Sequence, residues 1–207
     1  MIAHSEVMRE LLSDTKRLNG GSAGMRMSVE EFKAIDDVEP GFRYELIDGV
    51  VVVTPPPGPS HANSGDELGY LLRLYAETHS KGKCIDGNLP EFELITGRSV
   101  RRTDRCLWVG LGRTPDLDRD VPAIIVEFVS PGKAAYVRDY EDKRNEYLTL
   151  GCREYWVIDR FRRTMTVFRS EVPPVVVKEA EVYQTELLPG FALPLKPLLA
   201  AADQFKK

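Results

Sequence analysis

Asp104, Glu127 and Lys143 are the residues whose types and surroundings could do chemistry. Glu127 lies inside an apolar, β-branched run at 123–129, the pattern of a strand buried on both faces. A charge there is costly unless it is paired or bound to metal. Asp104 interrupts a second strand-like stretch, just before Cys106, Leu107, Trp108 and Val109. Lys143 sits on the helix that follows the Glu127 strand, one turn after Asp139 and one turn before Tyr147. Two carboxylates on adjacent strands can hold a hard divalent cation such as Mg2+, which prefers oxygen ligands and keeps some of its waters. A nearby lysine can orient an attacking water and stabilise the charge that builds on a phosphate. The three together suit metal-dependent hydrolysis of a phosphodiester, although acids 23 residues apart carry little weight as bare spacing.

Each residue also has a plainer reading. Asp104 could be a surface residue at a strand start. Glu127 could pair internally with Arg101 or Arg153. Lys143 stands among Asp139, Glu141, Asp142 and Arg144, so its default is a solvated charge with i,i+4 pairing. His61, after a proline run, reads more readily as a cap or packing residue than as a ligand. Glu45 alternates with Tyr44 and Leu46 and could simply face solvent.

The elements that must position these side chains follow from patterning. Ser28 and Glu31 form a capping box that opens a short helix at about 29–35. Residues 43–47 and 50–54 read as a hairpin turned by Asp48-Gly49. Helical spacing of Leu68, Leu71, Leu72 and Tyr75 predicts a helix over 61–80, with Ser60 as its cap. Alternation predicts strands at 91–95 and 103–109, then a charged loop at 111–120, the Glu127 strand and an amphipathic helix over 134–150. Gly151 is the expected C-cap of that helix. Strands at 155–158 and 165–168 come next, with peripheral strands at 175–177 and 182–187 and a terminal helix or tail at 198–205. The expected architecture is mixed α/β, one sheet with helices on its faces, and a parallel pair linking 123–129 to 154–159. The expected organisation is an N-terminal extension over 1–26, helical over 6–18, a domain over 27–190 and a tail or short helix over 191–207.

The 207 residues suffice for one well-cored domain. A net charge of -4 argues against a wholly basic nucleic-acid surface, so any such binding must use a local patch. Three scattered cysteines fit a reducing compartment better than a disulfide scaffold and show no metal spacing. No run of about 18 apolar residues and no signal peptide is visible, so a cytoplasmic protein with no membrane segment is expected.

Several ordered motifs then coincide: MSVEEF, RYELIDGVVV, PPPGPSH, Thr103-Asp104, PAIIVEFVSP, the Asp139/Lys143/Tyr147 spacing and GCREYWVID. With these the chain resembles, over roughly residues 27–170, the Uma-two family of restriction endonucleases, a branch of the PD-(D/E)xK nucleases. The resemblance implies a restriction-endonuclease-like core, a mixed sheet flanked by helices. It maps the PD aspartate to Asp104 and the second acid to Glu127. The superfamily lysine would stand at Val129, and Lys143 on the next helix looks like its replacement. The resemblance also makes Glu45 a further candidate acid and matches His61 to the family's histidine, with no role assigned. Thr103 replaces the proline of PD, and about two extra residues stand between Ser130 and Asp139. Thr114-Pro115-Asp116 mimics the motif from within a charged loop and ranks below Asp104.

The expected activity is that of a DNA endonuclease. Mg2+, or Mn2+ in its place, would be held by Asp104, Glu127 and the main-chain carbonyl of Phe128. Lys143 would assist the attacking water. Arg101, Arg102, Arg105, Lys133, Arg138 and Arg144 are the candidate phosphate contacts, each of which would make affinity fall with salt. Cutting both strands would suit a homodimer. The competing reading is a silent nuclease fold that serves as a binding or assembly module. An α/β hydrolase is disfavoured, since no G-x-S-x-G is present.

Overall fold

The structure, a computed structural model, describes residues 17–205. Most of the helix expected at 6–18 lies outside them. The chain divides into two compact units, one of Met1–Pro56 with Gly97–Arg101, the other of Pro57–Thr96 with Arg102–Lys207.

The first unit opens with helix α1 (Val29–Lys33). Its capping box is complete: Ser28 Oγ accepts from the Glu31 N–H and Glu31 Oε2 accepts from the Ser28 N–H. Strands β1 (Arg43–Ile47) and β2 (Val50–Thr54) form the expected hairpin. Asp48 and Gly49 both take positive φ, 47° and 77°, the conformation that a tight turn of this hand requires. Leu46 of β1 pairs antiparallel with Val100 in the later strand Ser99–Arg102. A small core of Leu18, Met27, Phe32, Tyr44, Leu46, Val51 and Val100 closes the unit.

The second unit begins with helix α2 (Pro59–Thr78). Its N-cap is Gly58, not the expected Ser60. Pro59 at the first helical position presets the backbone, so the start needs no hydroxyl. Strands β3 (Ile85–Pro90) and β4 (Glu93–Thr96) come next, with Ser99–Arg102 as β5 in chain order. Then come β6 (Arg105–Val109), β7 (Ile124–Phe128), β8 (Glu154–Asp159), β9 (Thr164–Arg169) and β10 (Val172–Lys178). One six-stranded sheet has the order β10-β9-β8-β7-β6-β3, mixed because β7 and β8 run parallel, as expected. A ribbon of β11 (Val182–Gln184) and β12 (Ala192–Pro194) and a last helix at Leu195–Asp203 complete the chain. The single sheet expected from the sequence is therefore replaced by more than one. The β1–β2 hairpin closes over its own apolar cluster rather than joining the larger sheet. Among the described residues no helix is long and apolar enough to cross a membrane.

The large sheet carries a core on each face, and period-two alternation sorts its side chains between them. Leu107, Ile124, Val126, Phe128, Trp156 and Ile158 pack on the face of α2 and the C-terminal helix. Cys106, Trp108, Ile125, Tyr155 and Val157 pack on the other. That second face is covered by a helix in three parts: α3 (Lys133–Val137), a π-helical turn (Arg138–Asp142) and α4 (Lys143–Leu150). Gly151 ends it at φ 107°, the expected left-handed cap. The C-terminal helix Leu195–Asp203 is α5.

Candidate functional site

Alternation sends Glu127 to the face that the α3–α4 helix covers, one residue before Phe128 turns toward α2. The β6–β7 register pairs Arg105 with Val126, Cys106 with Ile125 and Leu107 with Ile124. Asp104 immediately precedes β6, and its Oδ2 accepts from the N–H of Phe128, the residue after Glu127, at 2.7 Å. The two acids are close enough that the Asp104 charge pushes the Glu127 carboxyl up.

Asp104 is fixed by its own loop. The Thr103 N–H donates to the Phe92 carbonyl (2.9 Å), and so does the Thr103 hydroxyl (3.0 Å). A proline would forfeit the first of these bonds, which gives threonine a physical reason at the PD position. Asp104 Oδ2 accepts from the Phe128 N–H at 2.7 Å, and Oδ1 lies 2.9 Å from His61 Nε2. Asp104 is 8 % exposed, so the reading as a strand-start surface residue fails. Burial pushes its pKa up, but His61, the Lys143 charge and the Phe128 N–H outweigh it and hold the group at about 2.

Glu127 is buried on the same end of the sheet. Lys143 Nζ lies 2.9 Å from its Oε2, and the Tyr147 hydroxyl donates to Oε1 at 3.0 Å. Its internal partner is therefore Lys143, neither Arg101 nor Arg153. Burial pushes the Glu127 carboxyl well above the ordinary carboxylate range. Lys143 pulls it back, while Asp104 and Asp139 push it further up.

Lys143 is 4 % exposed and also donates to the Arg102 carbonyl at 3.4 Å, so it is no solvated charge. The π turn explains how a lysine in a charged run becomes buried. The Lys143 N–H bonds to the Arg138 carbonyl, five residues back, and one extra residue in the turn rotates the α4 segment about its axis. Asp139, Tyr140, Lys143 and Tyr147 all become buried. Asp139 is a third buried acid that sequence reasoning left among surface charges. Its neighbours Glu141 and Asp142 gave no sign that it alone turns inward. Arg138 Nε pairs with it at 2.9 Å.

Glu45 is buried on β1 of the first unit, opposite Val52. Arg101 and Arg105 are buried, at 1 % and 6 % exposure. Arg105 donates to the Gly65 carbonyl and Asn88 Oδ1, so it holds α2 and β3 to β6. Both are withdrawn as phosphate contacts, because a buried guanidinium cannot meet a DNA backbone. Arg102 is half-buried and pairs with Glu93, Arg138 pairs with Asp139, Lys133 is exposed and Arg144 lies over the Phe168 ring. Asp116 of the mimic motif stays in the loop, beside Arg119.

The donor set suits a hard divalent cation. It is all oxygen at Asp104 and Glu127, and burial, helped by the Asp104 and Asp139 charges, keeps the Glu127 carboxyl raised despite Lys143. Among the described residues no three His, Cys, Asp or Glu side chains converge as a metal-binding group, so water and substrate oxygens would complete the shell.

The fold has known relatives. A crystal structure described as a "putative nuclease belonging to DUF820", from Anabaena variabilis ATCC 29413, superposes with a TM-score of 0.69. Its sequence identity is 18 %, and the match covers 85 % of this chain and 99 % of that one. The likeness supports the restriction-endonuclease-like mixed sheet. No curated protein matches the chain. The profile of the Uma2 family, described as "Putative restriction endonuclease", matches residues 29–196, and the chain belongs to that family.

Proposed function

We propose that this chain is a metal-dependent nuclease that hydrolyses DNA phosphodiester bonds. The observation that carries the reading is one buried cluster: Asp104 accepting from the Phe128 N–H at 2.7 Å, next to Glu127, with Lys143 2.9 Å from Glu127. Asp104, Glu127 and the Phe128 carbonyl would hold Mg2+ or Mn2+. The ion when bound supplies Lewis-acid stabilisation of charge on the phosphate and a more acidic water. Asp104 enters this site already ionised, because its surroundings favour the charged form. Glu127 gives up its proton to take part. Lys143, held by Glu127, keeps its ammonium where it can orient water and meet the charge that builds on a phosphate oxygen. Water adds to phosphorus, the bond from phosphorus to one sugar oxygen breaks, and the released sugar oxygen takes up a proton. Arg102, Lys133 and Arg138 remain as backbone contacts.

The test is cleavage of plasmid DNA with and without Mg2+. Asp104→Ala and Glu127→Ala should each lose roughly 10²-fold or more of the rate. Retained cleavage by both variants removes the proposal. One observation favours a second reading, a silent nuclease fold: Lys143 Nζ already occupies Glu127 Oε2, at 2.9 Å. Calorimetric titration that shows no Mg2+ or Mn2+ binding by the folded protein would favour it.

A further inference from the structure

The turn between β8 and β9 carries the run Asp159-Arg160-Phe161-Arg162-Arg163, outside the cluster of acids and lysine. Asp159 anchors it. The buried carboxylate accepts from the N–H groups of Phe161 (2.9 Å) and Arg162 (3.0 Å) and from the Tyr140 hydroxyl (3.4 Å). The middle of the turn is thereby tied to its own start. The three arginines have separate surroundings. Arg163 is taken by two acids, Glu179 and Asp203. Arg162 lies 4.1 Å over the Tyr136 ring, which stacks on Tyr140, and its side chain is 55 % exposed. Arg160 lies 4.6 Å over the Phe161 ring and pairs with no acid among the described residues. Phe161 itself is 52 % exposed.

A single exposed phenylalanine is ordinary. Its position is what sets this one apart. β7 and β8 run parallel with Glu127 beside Val157 and Phe128 beside Ile158, and the Val129 N–H continues the ladder to the Ile158 carbonyl. The turn starts at Asp159, two residues or roughly 7 Å past the partner of Glu127. Tyr140, which bonds to Asp159, stands three residues before Lys143. The turn therefore borders the Asp104, Glu127 and Lys143 cluster at the same end of the sheet.

We infer that the β8–β9 turn grips single-stranded or locally unpaired DNA beside the scissile phosphate, Phe161 stacking on a base while Arg160 and Arg162 meet the flanking phosphates. This rests on the DNA reading above and names the form of DNA that the site takes. An aromatic face accepts any base, but only a base that has left the duplex stack. An arginine laid on a ring keeps its planar N–H edge free for a phosphate. A chain of net charge -4 needs such a local patch, and the burial of Arg101 and Arg105 takes two other guanidiniums out of reach.

The experiment is fluorescence anisotropy of labelled oligothymidylate, single-stranded or annealed to its complement, with the full chain in EDTA. Neither bound metal nor cleavage then enters the result. The single strand should bind more tightly than the duplex. Phe161→Ala should weaken single-strand binding about 10-fold or more, and Phe161→Trp should retain it. Arg160→Gln should reduce the slope of log affinity against log salt by about 0.7. Both native tryptophans, Trp108 and Trp156, are fully buried. The indole introduced by Phe161→Trp is thus the exposed reporter, and the strand should quench its emission. Equal binding by Phe161→Ala and wild type, an indole whose emission the strand leaves unchanged, or tighter binding of the duplex overturns this inference, even where plasmid cleavage persists. Phe161-dependent binding upholds it even where Mg2+-dependent cleavage is absent, which removes the hydrolytic reading alone.

Discussion

Two buried glutamates lie on neighbouring parallel strands of one sheet, and they live in opposite circumstances. Glu154 on β8 is surrounded by donors: Arg169 Nε at 2.9 Å, Trp156 Nε1 at 2.8 Å, the Tyr183 hydroxyl at 3.0 Å and the Thr185 hydroxyl at 2.8 Å. Glu127 on β7 has one ammonium and one phenol, faces two further acids, and is pushed well above the ordinary carboxylate range. Burial is equal, at 3 % exposure each. What separates them is satisfaction. A carboxylate whose lone pairs are filled by the fold holds elements together, whereas one left with too little positive charge has room for a ligand.

The contrast can be broken by substitution, and the largest effect should fall on the plainer residue. Glu154→Ala strips an acceptor from Arg169, Trp156, Tyr183 and Thr185. It should cost about 3 kcal/mol in urea unfolding, toward the low end for a broken buried pair because Arg169 is a third exposed. Its cleavage rate per folded molecule should be unchanged. Glu127→Gln should do the reverse: the rate falls roughly 10²- to 10³-fold, while unfolding shifts far less. If both variants lose stability alike and neither loses rate, the contrast is wrong. Tyr147→Phe removes the phenol from Glu127 and should cost about 1 kcal/mol. It should also raise the Glu127 pKa further, since a donor to the charged form is lost.

The pH dependence is the finest of these tests. A raised carboxyl keeps its proton over a wider range, so cation binding must expel that proton and must strengthen as pH rises. Asp104, held at about 2, is ionised throughout the usual range and contributes no proton. For stability its sign is the opposite. The depressed Asp104 pKa stabilises the fold above about pH 4, and that contribution is lost as pH falls toward about 2. Titration of the metal in two buffers of different ionisation enthalpy should show proton release in the wild type and none in Glu127→Gln.

The parts of this site legible in the sequence were those with a pattern to violate. Glu127 stood out against an apolar run, and Asp104 against a strand. Lys143 came from its spacing to Asp139 and Tyr147 together with the family resemblance, because among its neighbouring charges it had no contrast of its own. Asp139 and the π turn were illegible for a related reason. A register shift of one residue inside a helix leaves composition and capping untouched, yet decides which charges face inward. Strand β3 was missed because Gly87, Asn88 and Pro90 have poor strand propensity. As an edge strand with a register shift near Gly87, it tolerates them. The buried state of Arg105 was hidden as well, since an arginine beside a candidate acid reads as a phosphate contact until its guanidinium is found on Gly65 and Asn88.

The most direct test of the central claim is a calorimetric titration of Mn2+ into wild type, Asp104→Asn and Glu154→Gln, each verified as folded. A single cation pocket at Asp104 and Glu127 predicts one site in the wild type, the same site in Glu154→Gln, and its loss in Asp104→Asn. Equal binding by all three, or no binding by the wild type, would contradict the account.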